Sequence, residues 1–139
     1  MSSLQAGQSL GPDTFQITRA DLVRYAGASG DFNPIHWSDR VATSVGLPGV
    51  IAHGMYTMAL AGRAVTSWID PDQQIASFAV RFAKPVVVPD DDTGVLLEVS
   101  GVAKEPDGQG RVRIDLTVKS DGVKVLGMAR AFVFARVDD

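Results

Sequence analysis

The chain has 139 residues, 45% of them hydrophobic, enough for one domain with its own core. Its net charge of -3, with 13 Lys and Arg against 16 Asp and Glu and no long basic run, argues against a nucleic-acid binder. The absence of cysteine excludes disulfide scaffolds, thiol nucleophiles and Cys-ligated zinc.

The opening residues Met1 to Gln8 lack the positive charge and apolar run of a secretory signal. No segment reaches the roughly eighteen uninterrupted apolar residues of a membrane span, so the expected setting is cytoplasmic, away from membranes. The first helix is predicted from about Arg19, with Thr18 as N-cap and Asp21 as its capping-box partner. Leu22, Val23 and Ala26 supply its apolar side, and Gly27 and Gly30 weaken its end. Pro34 fixes its own backbone and pushes Asn33 toward extended geometry, which makes Gly30 to His36 a stiff loop. A short helix is expected from Ser38 to about Val45. The longest follows from Gly54 to Ile69 and is apolar on nearly every side, so it should be wrapped by protein. Ala59, Ala61, Gly62 and Ala64 would let it approach a sheet closely, and Met55 and Met58 read as core filler.

Beyond Pro71 the pattern turns to strands: Ile75 to Val88, Val95 to Ala103, Arg111 to Lys119 and Val123 to Ala135. The third alternates cleanly, with Val112, Ile114, Leu116 and Val118 on one face. Pro106-Asp107-Gly108 and Asp121-Gly122 are hairpin signals that make the last three strands antiparallel neighbours. Helices first and strands afterwards predict one α+β domain over residues 1–139, its antiparallel sheet curled around the Gly54 helix.

Within this frame the chemistry concentrates on Asp31 and His36, a carboxylate and an imidazole five residues apart across Asn33-Pro34. Histidine titrates closest to cellular pH, and a neighbouring carboxylate can share or steer its proton. The only other histidine, His53, precedes Gly54. Asp31, His36 and His53 would suffice in principle for a three-ligand metal site, but the pair explains itself by proton transfer and no third ligand follows at close spacing. Ser29 is near His36 in sequence, without the Gly-x-Ser-x-Gly elbow of a serine hydrolase.

Tyr25-Ala26-x-x-Ser29-Gly30-Asp31-x-Asn33-Pro34-Ile35-His36, then Ala52-His53-Gly54-Met55, then Val80-Arg81-Phe82 with Pro85, resemble the MaoC-type dehydratases, or (R)-specific enoyl hydratases, of the hot-dog fold. The likeness runs from about Phe15 to Phe134. It is strongest to the catalytic B subunits of actinobacterial (3R)-hydroxyacyl-carrier-protein dehydratases. Pro89-Asp90-Asp91-Asp92 stands where the family has Pro-Gly-Asp, and Asp tolerates unusual backbone angles. Phe32 occupies a position that varies in the family.

The resemblance implies a hot-dog domain that adds water to trans-2-enoyl thioesters, or removes it from (3R)-3-hydroxyacyl thioesters, without metal or redox cofactor. Asp31 and His36 would hold the water. Gly54 would offer its first-turn N–H to the thioester oxygen, Asn33 would hold the loop or the water, and His53 would support. The substrate would ride on coenzyme A or an acyl carrier protein, and Arg81 and Lys84 would meet its phosphates or stay solvated. A homodimer is expected, a heterodimer with a related hot-dog subunit being the other arrangement. The competing readings are a hot-dog acyl-thioesterase and a non-catalytic acyl-binding subunit.

Overall fold

Apolar alternation and turn chemistry account for most of the sheet. The computed structural model describes residues 4–134. In chain order it runs β1 (Ser9–Ile17), α1 (Arg19–Ser29), a single 3-10 turn (Pro34–His36), α2 (Asp39–Ser44), α3 (Gly54–Trp68), β2 (Ile75–Phe82), β3 (Val95–Pro106), β4 (Arg111–Ser120), β5 (Val123–Lys124) and β6 (Leu126–Phe134). The sheet has the order β1-β3-β4-β6-β2, with β5 paired to β4. Every pairing is antiparallel. Val112, Ile114, Leu116 and Val118 of β4 are all buried, and the last three share one core cluster, extending from Leu10 to Val133, with Ala61, Ala64 and Val65 of α3.

The expected α+β architecture, with its antiparallel sheet curled around a long helix, is present, and β3, β4 and β6 lie side by side as the hairpin signals require. The Thr18 cap is complete: its side chain accepts from the Asp21 N–H, and the Asp21 carboxylate accepts from the Thr18 N–H at 2.8 Å. Among the described residues, no helix is long and apolar enough to cross a membrane.

Four expectations are corrected. A strand, β1, precedes the helices. It was hidden because Gly11-Pro12 breaks its alternation at the register shift between Leu10 and Asp13, where an edge strand tolerates Pro. The strand expected from Ile75 to Val88 stops at Phe82. The segment beyond it, with Pro85 and Pro89, crosses instead to the Val50–Ala52 backbone, where the Ala52 N–H donates to Val86 and the Val88 N–H to Val50. The last strand is divided at Val125 into β5 and β6, and its expected end, Ala135, lies outside the described residues, as do Met1 to Ser3. Finally, α3 is not wrapped on all sides. Met55 is 58% exposed and Ala59 and Thr66 are also exposed, because one sheet covers one side of a helix. Ala61 and Ala64 meet the core, whereas a Cβ on Gly62 would find nothing within 4 Å. Met55 is therefore no core filler, and Met58 is half-buried on the same outer side.

Candidate active site

The loop between α1 and α2 is shaped by short polar side chains. Gly30 closes α1 in the left-handed region at φ 78°, a conformation glycine adopts without a Cβ penalty. Three bonds to the backbone then fold the turn. The Ser29 hydroxyl accepts from the Asp31 N–H, the Asp31 carboxylate from the Asn33 N–H, and the Asn33 side-chain oxygen from the Ile35 N–H, each at 3.2 Å. Ser29 and Asn33 are thus loop-forming residues, and Asn33 caps the 3-10 turn that ends on His36.

The His36 ring is 8% exposed, and its Nδ1 lies 2.7 Å from the Ile51 carbonyl oxygen. A carbonyl only accepts, so Nδ1 carries the hydrogen and the neutral ring keeps its lone pair on Nε2. That Nε2 is 3.8 Å from Oδ2 of Asp31, whose side chain is exposed. The distance is too long for a direct hydrogen bond and fits one water bridging both groups. A backbone acceptor such as Ile51 leaves no trace in residue identity, and sequence reasoning missed it.

His53 sits behind the pair. Its ring is 1% exposed and stacks on His36 with centroids 3.8 Å apart and planes 23° from parallel. Nε2 donates to the Asp31 carbonyl at 3.1 Å, so this histidine fixes the backbone of the residue whose carboxylate faces His36. Tyr25 packs edge-on against it at 4.7 Å. Burial holds the His53 ring below the usual histidine range. The Asp31 carbonyl opposes that shift, and positive charge on His36 would add to it.

The unfolded chain therefore takes up the His53 proton more readily than the folded one, and folding stability falls as pH drops below the unfolded value of about 6.5. His53→Gln should lose less melting temperature than the wild type between pH 7 and 5.5, measured by thermal unfolding. Equal slopes would show that His53 does not set this part of the pH dependence.

Asp31, His36 and His53 bring one ligand atom each within 4.8 Å, nearer than their sequence spacing suggested. Zinc needs to lie in the plane of each imidazole at about 2.0–2.1 Å. Nearly parallel rings 3.8 Å apart do not converge on such a point, so this stacking suits proton transfer better than chelation.

Gly54 opens α3, with His53 at the N-cap making no side-chain cap bond. The Gly54 N–H precedes the earliest bond of the helix, from the Tyr56 N–H to the His53 carbonyl, and lies at the positive end of the helix dipole. Asp31, His36, His53 and Gly54 all line one open hollow of about 450 Å³, together with Phe82, Pro85, Val86 and Leu126. A larger hollow of about 780 Å³ lies past Lys84 and Pro85 and touches neither Asp31 nor His36. The titratable pair and the Gly54 amide meet only in the smaller of these two. Arg81 and Lys84 are exposed, Lys84 lining both hollows. Phe32 is 62% exposed, its carbonyl accepting from the Trp37 indole at 3.0 Å.

The chain is 47% identical over 77 residues to 3-hydroxyacyl-thioester dehydratase X of Mycobacterium tuberculosis, a stretch covering 53% of this chain and 25% of that protein. The chain thus spans about a quarter of the length of that curated relative. A solved MaoC-like dehydratase superposes with a TM-score of 0.87 at 38% identity, over 94% of this chain and 40% of the other. The R-hydratase of Pseudomonas aeruginosa in its unliganded form does so with a TM-score of 0.80 at 28% identity, over 97% of this chain and 84% of that one. The family described as the MaoC-like domain matches residues 3–121, and with the helix-wrapping antiparallel sheet this establishes that the chain belongs to the MaoC-like family of hot-dog proteins.

Proposed function

We propose that residues 1–139 act as one domain that catalyses reversible addition of water to trans-2-enoyl thioesters, giving (3R)-3-hydroxyacyl thioesters. The observation that carries this reading is the 3.8 Å gap between His36 Nε2 and Asp31 Oδ2, the span of one shared water, in the same hollow as the Gly54 amide. In hydration the water oxygen bonds to C3 as the Asp31 and His36 pair takes up its proton. The C2–C3 π electrons move toward the thioester oxygen, whose charge the Gly54 N–H stabilises, and the pair returns a proton to C2. Dehydration follows the same path in reverse. His53 positions Asp31 and His36, and Asn33 holds the turn. Thioesters of coenzyme A and of acyl carrier protein share these reacting atoms.

The outer edge of β2 has no strand beside it among the described residues. Next to it, Met55, Met58, Gly62, Ile75 and Phe78 line an apolar hollow of about 390 Å³. An open edge joined to an apolar face supports a homodimer formed through β2, the arrangement that also serves a related hot-dog partner.

On mixing with crotonyl-coenzyme A, the protein should lower the enoyl absorbance to an equilibrium level without releasing free thiol, at a rate that chelators leave unchanged. Thiol release in place of hydration would establish the thioesterase reading. Binding without turnover would establish a silent acyl-binding subunit.

A further inference from the structure

Gly54 has one crowded side. A Cβ built on it would lie 2.9 Å from Cε1 of Phe82 and 3.1 Å from Cδ1 and Cζ. Carbon atoms in ordinary contact stay about 3.5–4.0 Å apart, so the volume a methyl would need beside Gly54 is already filled by this ring. Phe82 is the last residue of β2 and is 54% exposed. Its ring lies against the α-carbon next to the amide, and it acts there through volume.

This argument rests on the proposed hydratase reading, in which the Gly54 N–H grips the thioester oxygen. The C2 atom of the substrate is bonded to the thioester carbon and therefore lies in the same confined space. Phe82, Pro85, Val86, Val125 and Leu126 line the same hollow of about 450 Å³ as Gly54, which leaves space away from the Phe82 ring for atoms beyond C3. We infer that Phe82 determines which substituents C2 can carry, admitting enoyl thioesters unsubstituted at C2 and rejecting those with a 2-methyl branch.

The test compares kcat/KM for crotonyl-coenzyme A and 2-methylcrotonyl-coenzyme A in the wild type, Phe82→Ala and Phe82→Leu. The intrinsic reactivity difference between the two thioesters is common to all three proteins and cancels. One methylene-sized group is worth roughly 10–200-fold in a fitted pocket. Phe82→Ala should therefore narrow the preference for crotonyl by about tenfold or more, and Phe82→Leu, which keeps an apolar strand end, should narrow it less. An unchanged preference in a folded, active variant overturns the inference.

Binding of the saturated butyryl and 2-methylbutyryl coenzyme A thioesters, measured by calorimetry, decides the same point without turnover. Phe82→Ala should gain affinity for the branched ligand relative to the unbranched one, and equal ratios overturn the assignment. A wild type that does not hydrate crotonyl-coenzyme A would instead sink the hydratase reading, leaving the calorimetric comparison to judge Phe82 alone.

Discussion

Asp31→Asn and His36→Ala should each slow hydration of crotonyl-coenzyme A by about 10²–10⁴-fold, the usual worth of general acid and base assistance. In the proposed mechanism both side chains share one water across the 3.8 Å gap, so neither retains a complete proton path when the other is gone. The double variant should therefore be little slower than the worse single variant, because groups that act as a unit do not contribute additively. Asn keeps the shape of Asp and can still accept from the Asn33 N–H, which leaves the turn intact while removing the charge. His36→Ala removes a ring that is 8% exposed and stacked on His53, so its melting temperature should be recorded beside its rate. Full activity in both variants would refute the assignment of this pair. Loss of activity together with loss of folding in His36→Ala would make His36→Gln, of similar reach, the deciding variant.

How much of this was legible in the sequence depends on the scale at which each feature is specified. The Thr18 and Asp21 cap, the β4 alternation and the Asp107-Gly108 and Asp121-Gly122 turns are written in neighbouring residues, and they appear where local chemistry puts them. The Asp31 to His36 turn was legible for the same reason: Pro34, Asn33 and Gly30 act on their own backbone. What failed was tertiary. No local pattern says that β1 would find β3 across eighty residues of chain, or that the outer face of α3 would be left open by a sheet that covers one side. The contacts of His53 were hidden as well, since its bond to the Asp31 carbonyl joins α3 to a loop 22 residues earlier through main-chain oxygen. Phe82 belongs to the Val80-Arg81-Phe82 motif, but its place over Gly54 depends on where β2 stops, six residues before the expected end at Val88, because the chain around Pro85 leaves the sheet.

Gly54→Ala should lower kcat by about 10²–10³-fold, the usual loss when one oxyanion donor is disabled, with little change in fold. The backbone there does not demand glycine, since Gly54 is absent from the positive-φ residues, and alanine is the better helix former. What the methyl meets is the Phe82 ring at 2.9 Å, the end of a side chain and not backbone, so the clash costs the displacement of one ring, which the fold carries more easily than a bound substrate does. The helix should therefore survive while the methyl and the displaced ring occupy the approach to the amide. Thermal unfolding should stay close to the wild type, and the kinetic loss should fall mainly on kcat, because the donor works hardest on charge that develops in the transition state. A variant that unfolds at the wild-type temperature and keeps the wild-type kcat would show that the thioester oxygen is held somewhere other than the start of α3. The contrast with glycines elsewhere sharpens the test. At Gly94, with φ 65° and a Cβ that would run into the Ile17 carbonyl, alanine should disturb the fold first, so a loss of activity there would carry no information about the site. At Gly54 the two readouts separate, and that separation is what makes the amide assignable by experiment.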